Sequence, residues 1–317
     1  MTVEKTKTRK VVIVGTGFVG ASYAYALLNQ GIGSDLVLID LDKERAEGEA
    51  RDLNHGMPFR SPMKIRAGDY DECKDADMVV ITAGANQKPG ETRLDLATKN
   101  AKIMKGIVTQ IMKNDFKGII LVATNPVDVL THVAYDVSGL PKERVIGSGT
   151  ILDTARFRYL LSEYYQIDSR NVHAYIIGEH GDSELPVWSH VQIGGVPLKK
   201  YGCMDDVAED PDMKQIFENV RDAAYHIIER KGASYYGIGL GLARLTKAIL
   251  YDENSIITVS TLFEGEYGIE NVYLGIPAVV NENGVREMIE LDLNKKELNE
   301  LHASAKILRE MTEKVLE

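Results

Sequence analysis

Cysteine is nearly absent from this chain of 317 residues: Cys73 and Cys203 are its only two, with no CxxC pair and no histidine cluster beside them. That excludes a disulfide framework and a structural zinc site, and it suits a reducing compartment in which both act as packing residues. Positive charge is also short. With 37 Lys and Arg against 47 Asp and Glu the net charge is -10, and the basic residues are scattered, not striped along one face. A nucleic-acid backbone is therefore excluded as a partner. No apolar run approaches the roughly 20 residues of a membrane span. The polar, basic segment 1–10 leads into no secretory h-region, because the apolar run from Val11 is broken at once by glycines. The expectation is a cytoplasmic protein without membrane attachment. Fixed-period repeats and low-complexity tracts are missing as well, which removes solenoids and disordered linkers.

What is present is a regular alternation of apolar runs and helical patterns. Lys10–Val14 enters a glycine turn, and Phe18–Gln30 carries small and apolar residues at helical spacing until Gly31. A second apolar run, Asp35–Asp40, precedes a polar helix from Asp42 towards Asn54. Further runs at 78–82, 119–123 and 145–146 alternate with helical patterns at 94–114 and 127–138. Strands that are apolar throughout predict a parallel sheet covered on both faces, a doubly wound α/β fold of Rossmann type. After Thr150 the rhythm changes. A helix over 153–166, strand-like stretches at 173–177, 256–263 and 272–280, and an amphipathic helix from Lys295 predict an α+β half. The division is expected near Gly149, with domains 1–149 and 150–317, no proline-rich linker and a cleft between them.

Gly15-Thr16-Gly17-Phe18-Val19-Gly20 matches GxGxxG between a strand and a helix. The first glycine permits the tight turn, the second lets the backbone approach a pyrophosphate, and the third lets helix pack on strand. The second strand ends at Asp40, twenty residues beyond Gly20. A carboxylate there accepts from ribose hydroxyls and repels a 2′-phosphate, which favours NAD over NADP. FAD shares the fingerprint, and the glycines also have a plain reading as turn residues, with Asp40 capping the next helix.

Hydride transfer to a ketone leaves negative charge on oxygen, which calls for a proton donor. His180, in Gly178-Glu179-His180-Gly181, is the candidate. Asp153 would fix its tautomer and raise its pKa. Arg156, one helical turn on, offers a planar fork for a substrate carboxylate. The glycine-bounded loop from Gly84 to Arg93 has the composition of a mobile cover, with Arg93 placed to polarise the carbonyl. Asn125, at the end of the strand over 119–123, lies where open parallel sheets bind ligands. Each also has an ordinary structural reading: a turn histidine, an N-cap with its i,i+3 partner, a surface arginine and a turn asparagine before Pro126.

Six segments together carry a resemblance: the GxGxxG turn, 83–93 (AGANQKPGETR), 124–128 (TNPVD), 147–150 (GSGT), 152–158 (LDTARFR) and 177–183 (IGEHGDS). With these the chain resembles the NAD-dependent L-lactate dehydrogenases of the bacterial, allosteric type over essentially its whole length, and single segments also fit malate dehydrogenases. The resemblance implies reversible hydride transfer between NADH and pyruvate. It implies His180 as acid/base with Asp153 as partner, Arg156 on the carboxylate, Arg93 on the carbonyl and Asn125 in the active site. It adds Gln87 as the specificity residue, since a neutral amide tolerates the methyl of pyruvate where oxaloacetate would want an arginine. Ser234, commonly threonine in the family, bounds the pocket and leaves it slightly roomier. Ala83 and Gly84 join the cofactor set, and Ile238 backs the nicotinamide. Arg158 and His173 correspond to a basic pair that binds fructose 1,6-bisphosphate between subunits, and a homotetramer is implied.

Overall fold

The computed structural model describes residues 8–85, 90, 92–202, 204 and 206–316. Its first half runs β1 (Lys10–Val14), α1 (Phe18–Gln30), β2 (Asp35–Ile39), α2 (Lys43–His55), β3 (Lys64–Ala67) and β4 (Met78–Ile81). There follow α3 (Arg93–Met112), β5 (Ile119–Val122), α4 (Val127–Ser138) and β6 (Val145–Gly147). These six strands are parallel in the order β3-β2-β1-β4-β5-β6. β1, β4 and β5 are buried at every position. Alternate side chains serve opposite faces, and both are covered: Val12, Val14, Val79 and Ile81 pack under α3 and α4, while Val11, Ile13, Met78 and Val80 pack under α1. Each such side chain contributes about 1.5–3 kcal/mol on burial, which is why the strands carry no polar alternation. β3 escapes the sequence reading because it is an edge strand with Lys64 exposed and Arg66 paired to Asp35 and Glu72.

The second half begins with α5 (Ile151–Tyr165), then β7 (Val172–His173), β8 (Ile176–Ile177), β9 (Leu185–Pro186), β10 (Gln192–Ile193), β11 (Val196–Pro197) and α6 (Leu198–Tyr201). It ends with α7 (Pro211–Lys231), α8 (Tyr236–Leu250), β12 (Ser255–Glu264), β13 (Glu270–Asn281), β14 (Gly284–Met288) and α9 (Lys295–Leu316). The stretch 173–177, expected as one strand, is two: β7 pairs with β10, and β8 with β9. The large sheet also does not stop where the halves meet. β12 lies antiparallel to β6 through Ser260 and Gly147, and β13 and β14 extend the sheet to nine strands. Glycine makes that junction possible, because a Cβ on Gly149, at φ +52°, would stand 2.4 Å from the Ser260 nitrogen. The helix α9 covers one face against α3, α4 and β13, and α8 covers the other against α1.

Candidate active site

The carboxyl ends of β1, β4 and β5 open on one crevice, where the strand order reverses. At its floor a Cβ on Gly15 (φ +102°) would meet the Ala83 nitrogen at 2.5 Å, and one on Gly20 would meet the Gly15 carbonyl oxygen at 1.9 Å. Gly17 is different: its Cβ position faces open space, and it caps α1 without any side-chain bond. The turn is therefore closed behind and open in front, with unsatisfied helix N–H groups towards the opening. Asp40 accepts from the Thr16 N–H at 2.6 Å, the Thr16 hydroxyl at 2.8 Å and the Asp42 N–H at 3.1 Å. Burial pushes this carboxyl up, but those bonds and the charge of Arg45 outweigh it and hold the pKa below the usual value. An ionised carboxylate thus stands beside the glycine turn. These features fit a dinucleotide with free ribose hydroxyls.

Phe18 is exposed and stacks on Tyr235 at 5.1 Å between ring centres, while Val19 and Ile238 lie half-buried on the same apolar cluster. Thr124 donates its hydroxyl to the Ala83 carbonyl at 2.8 Å, and its methyl fills the space where Gly84 lacks a side chain. Asn125 stands exposed at the end of β5 before a cis bond to Pro126. Its carbonyl accepts from the Asn100 amide at 2.9 Å, and the same Asn100 side chain accepts from the Ala85 N–H at 2.8 Å. Asn100 therefore ties the loops after β4 and β5 together, a role sequence patterning does not reveal on a helix face.

His180 meets Asp153 of α5, Nδ1 to Oδ2 at 2.5 Å. Asp153 is 2% exposed, and its other oxygen accepts from the Arg156 Nη1 at 2.8 Å. Both acid and arginine sit in the first turns of α5, one turn apart. Burial lowers the imidazole pKa, but the charge and hydrogen bond of Asp153 overcome it and raise it to about 9. In return Asp153 is held below the usual carboxylate value, its burial outweighed by His180 and Arg156. The backbone of His180 is held too. Its N–H donates to buried Asp128 of α4 at 2.9 Å, whose other oxygen accepts from the Ser260 hydroxyl of β12 at 2.6 Å. Burial pushes Asp128 up to about 6. The preceding Glu179 N–H donates to Ser304 of α9 at 2.8 Å. Asp128, Ser260 and Ser304 were not among the residues expected from sequence. Their signal lies in separations of 52 to 132 residues, which no local pattern carries.

Arg93 is the first residue of α3, after a capping box between Thr92 and Asp95. It is half exposed and reaches Asp182 at 3.0 Å and Glu179 at 3.9 Å, on the histidine loop. Gln87 lies outside the described residues, as does Cys203, while Cys73 is buried. Ser234 is half-buried in the segment before α8. Arg158 donates from Nε to the Ala174 carbonyl at 3.0 Å and faces the Tyr175 ring, beside exposed His173. The Arg158 guanidinium thus lies against the segment 174–175 that follows His173. Among the described residues one group, Asp153, His180 and Glu184, has donor atoms close enough to hold a cation. Arg156 already places a positive charge on that group, so a proton suits it better than a metal.

A family profile described as lactate/malate dehydrogenase, NAD binding domain, matches residues 9–147, and one described as lactate/malate dehydrogenase, alpha/beta C-terminal domain, matches 150–317. The chain is 67% identical over 304 residues to an L-lactate dehydrogenase of Priestia megaterium, covering 96% of each. It is 59% identical over 313 residues to L-lactate dehydrogenase 2 of Bacillus anthracis, covering 98% of this chain and 100% of the relative. Among solved structures it superposes on MGS-M5, a lactate dehydrogenase from a Medee basin deep-sea metagenome library, with a TM-score of 0.95 at 55% identity, covering 98% and 100% of the two chains. For the minor L-lactate dehydrogenase of Enterococcus mundtii in its ligands-bound form the TM-score is 0.94 at 49% identity, covering 97% and 98%.

Proposed function

Because this chain belongs to the lactate/malate dehydrogenase family and is an NAD-dependent oxidoreductase with L-lactate dehydrogenase chemistry, we propose that His180 is its proton donor and acceptor. The observation that carries this reading is the 2.5 Å contact between His180 and buried Asp153, with Arg156 on the same carboxylate. A donor must hold its proton at working pH and release it to oxygen as charge develops there. An imidazolium stabilised by a buried carboxylate does both. Bound NADH supplies the hydride. Gly15, Gly17, Phe18, Val19 and Gly20 cradle the pyrophosphate, Asp40 takes the ribose hydroxyls, and Ala83, Gly84, Asn125 and Ile238 line the nicotinamide end. Arg156 receives the pyruvate carboxylate through its fork, and Ser234 bounds the pocket. Arg93 leaves Asp182 for the carbonyl oxygen of the substrate, and Gln87 is the residue that selects pyruvate over oxaloacetate.

The resemblance carries finer expectations. It makes the protein a cytoplasmic homotetramer of fermentative glycolysis, in two domains divided near Gly149, with Arg158 and His173 binding fructose 1,6-bisphosphate across a subunit interface. A basic pair doubled by a twofold axis gives four cations for two phosphates. The test is NADH oxidation with pyruvate and with oxaloacetate in parallel, with and without the bisphosphate. The expected result is strong pyruvate preference, an apparent KM lowered by the bisphosphate, and loss of that lowering in Arg158→Gln. Preference for oxaloacetate removes Gln87 as selector, and a saturation curve unmoved by the bisphosphate removes the activator site.

A further inference from the structure

Behind His180 stands a second buried carboxyl that the reaction as described does not use. Glu184 is 7% exposed, and its Oε1 has no hydrogen-bond partner among the described residues. One of its oxygens, one of Asp153 and a ring nitrogen of His180 all lie within 4.8 Å of one another. Two carboxylates this close in a dry site do not both ionise unless each has its own cation. Asp153 holds both available partners, His180 at 2.5 Å and Arg156 at 2.8 Å. Arg221, on α7, is engaged with Asp222 at 3.0 Å. Glu184 is therefore the member of the pair that keeps a proton.

We propose, resting on the His180 reading above, that Glu184 is a positioning residue that stands beside the dyad as a neutral acid, so that substrate binding at alkaline pH takes up two protons. Burial first, then the charge of Asp153, push this carboxyl up to about 9, against the pull of His180, Arg156 and Arg221. On its other side it lines a cleft of about 410 Å³ shared with Ser183, Trp188 and Lys214. The charged groups around that cleft are Lys214, Glu218 and Arg221 on α7, with Lys296, Glu297 and Glu300 on α9. Pyruvate brings one negative charge to Arg156. A neutral Glu184 leaves that arginine to Asp153 and the substrate, whereas an ionised one competes for it and disfavours the anion. Binding above pH 9 then requires one proton on the imidazole nitrogen that faces away from Asp153 and another on Glu184.

The test is the affinity of oxamate, the unreactive amide analogue of pyruvate, for the enzyme–NADH complex, followed by quenching of NADH fluorescence as pH rises past about 9. By proton linkage the parent Kd should climb towards roughly 100-fold per pH unit, and that of Glu184→Gln by no more than about tenfold. A merely structural glutamate would shift Kd equally at every pH and leave the slope alone. A parent slope limited to one proton overturns the proposal while leaving His180 in place. A flat profile in the parent overturns both. The parent slope decides the matter even where the variant does not fold.

Discussion

A histidine ring held 2.5 Å from a carboxylate that is itself 2% exposed is not a free imidazole. With its pKa raised from 6.5 to about 9, His180 carries its proton throughout the neutral range. Pyruvate reduction needs that proton and should fall as pH rises through about 9, whereas lactate oxidation needs the neutral ring and should fall as pH drops through the same value. Asp153→Asn should lower kcat/KM for pyruvate by about 100-fold or more and move the alkaline limb down towards 6.5, which steady-state pH profiles measure. Identical limbs in parent and variant would contradict the pairing. The same shift bears on folding. A raised histidine pKa contributes stability that is complete below 6.5 and lost as pH climbs through about 9, so the parent Tm should decline over that interval more than the variant's does. At this scale the three residues joined by the Asp153 carboxylate were legible, because His180, Asp153 and Arg156 each sit in a short motif. Asp128, Glu184 and Asn100 were not. Asp128 lies within the segment 124–128, but its contacts with His180 and Ser260 are made only by folding, as are the approach of Glu184 to Asp153 and the bond of Asn100 to Asn125.

The turn from β1 into α1 separates two kinds of glycine within a few residues. A methyl on Gly17 meets nothing within 4 Å, while one on Gly20 would lie 1.9 Å from the Gly15 carbonyl oxygen. Gly17→Ala should therefore leave Tm near the parent value and weaken NADH, because the added methyl occupies the space of approach to the pyrophosphate. Gly20→Ala should do more, since α1 must move off β1 at a cost of about 1–3 kcal/mol. Its Tm should fall, and its NADH Kd should rise on the order of tenfold or more. Fluorescence titration and calorimetry on both variants check this, and equal Tm losses would refute the distinction. Element boundaries in this half were readable almost to the residue, because buried parallel strands are apolar throughout and glycine stops are local. β3 was missed since an edge strand needs only one apolar face. The single strand expected over 173–177 is broken because the chain passes there from one small sheet to another.

Across the molecule, one sheet of nine strands runs through both halves, with β12 of the second half laid on β6 of the first. Calorimetry of the whole chain should accordingly show the two halves melting together. A fragment ending at Gly149 would expose the free edge of β6 and the face of α4 that Leu301 and Leu308 of α9 cover. It should aggregate, or stay molten with weak near-ultraviolet dichroism, on gel filtration and circular dichroism. A monomeric fragment with a sharp melt would show instead that the first six strands are self-sufficient.

The sequence alone determined the parallel sheet, the glycine turn between β1 and α1, the acidic residue at the end of β2, and the histidine, aspartate and arginine that the fold brings together. All of these rest on local rules: apolar runs, glycine conformation and spacing along one helix. Only the tertiary structure decided that the histidine is clamped from α4, α5 and α9 at once, that one sheet runs on from β6 to β12, and that a second buried acid stands behind the dyad. Those depend on contacts between segments up to 132 residues apart. The reason is physical: a buried charge takes its pKa from whatever the fold brings within a few ångströms, and sequence order places no limit on what that is.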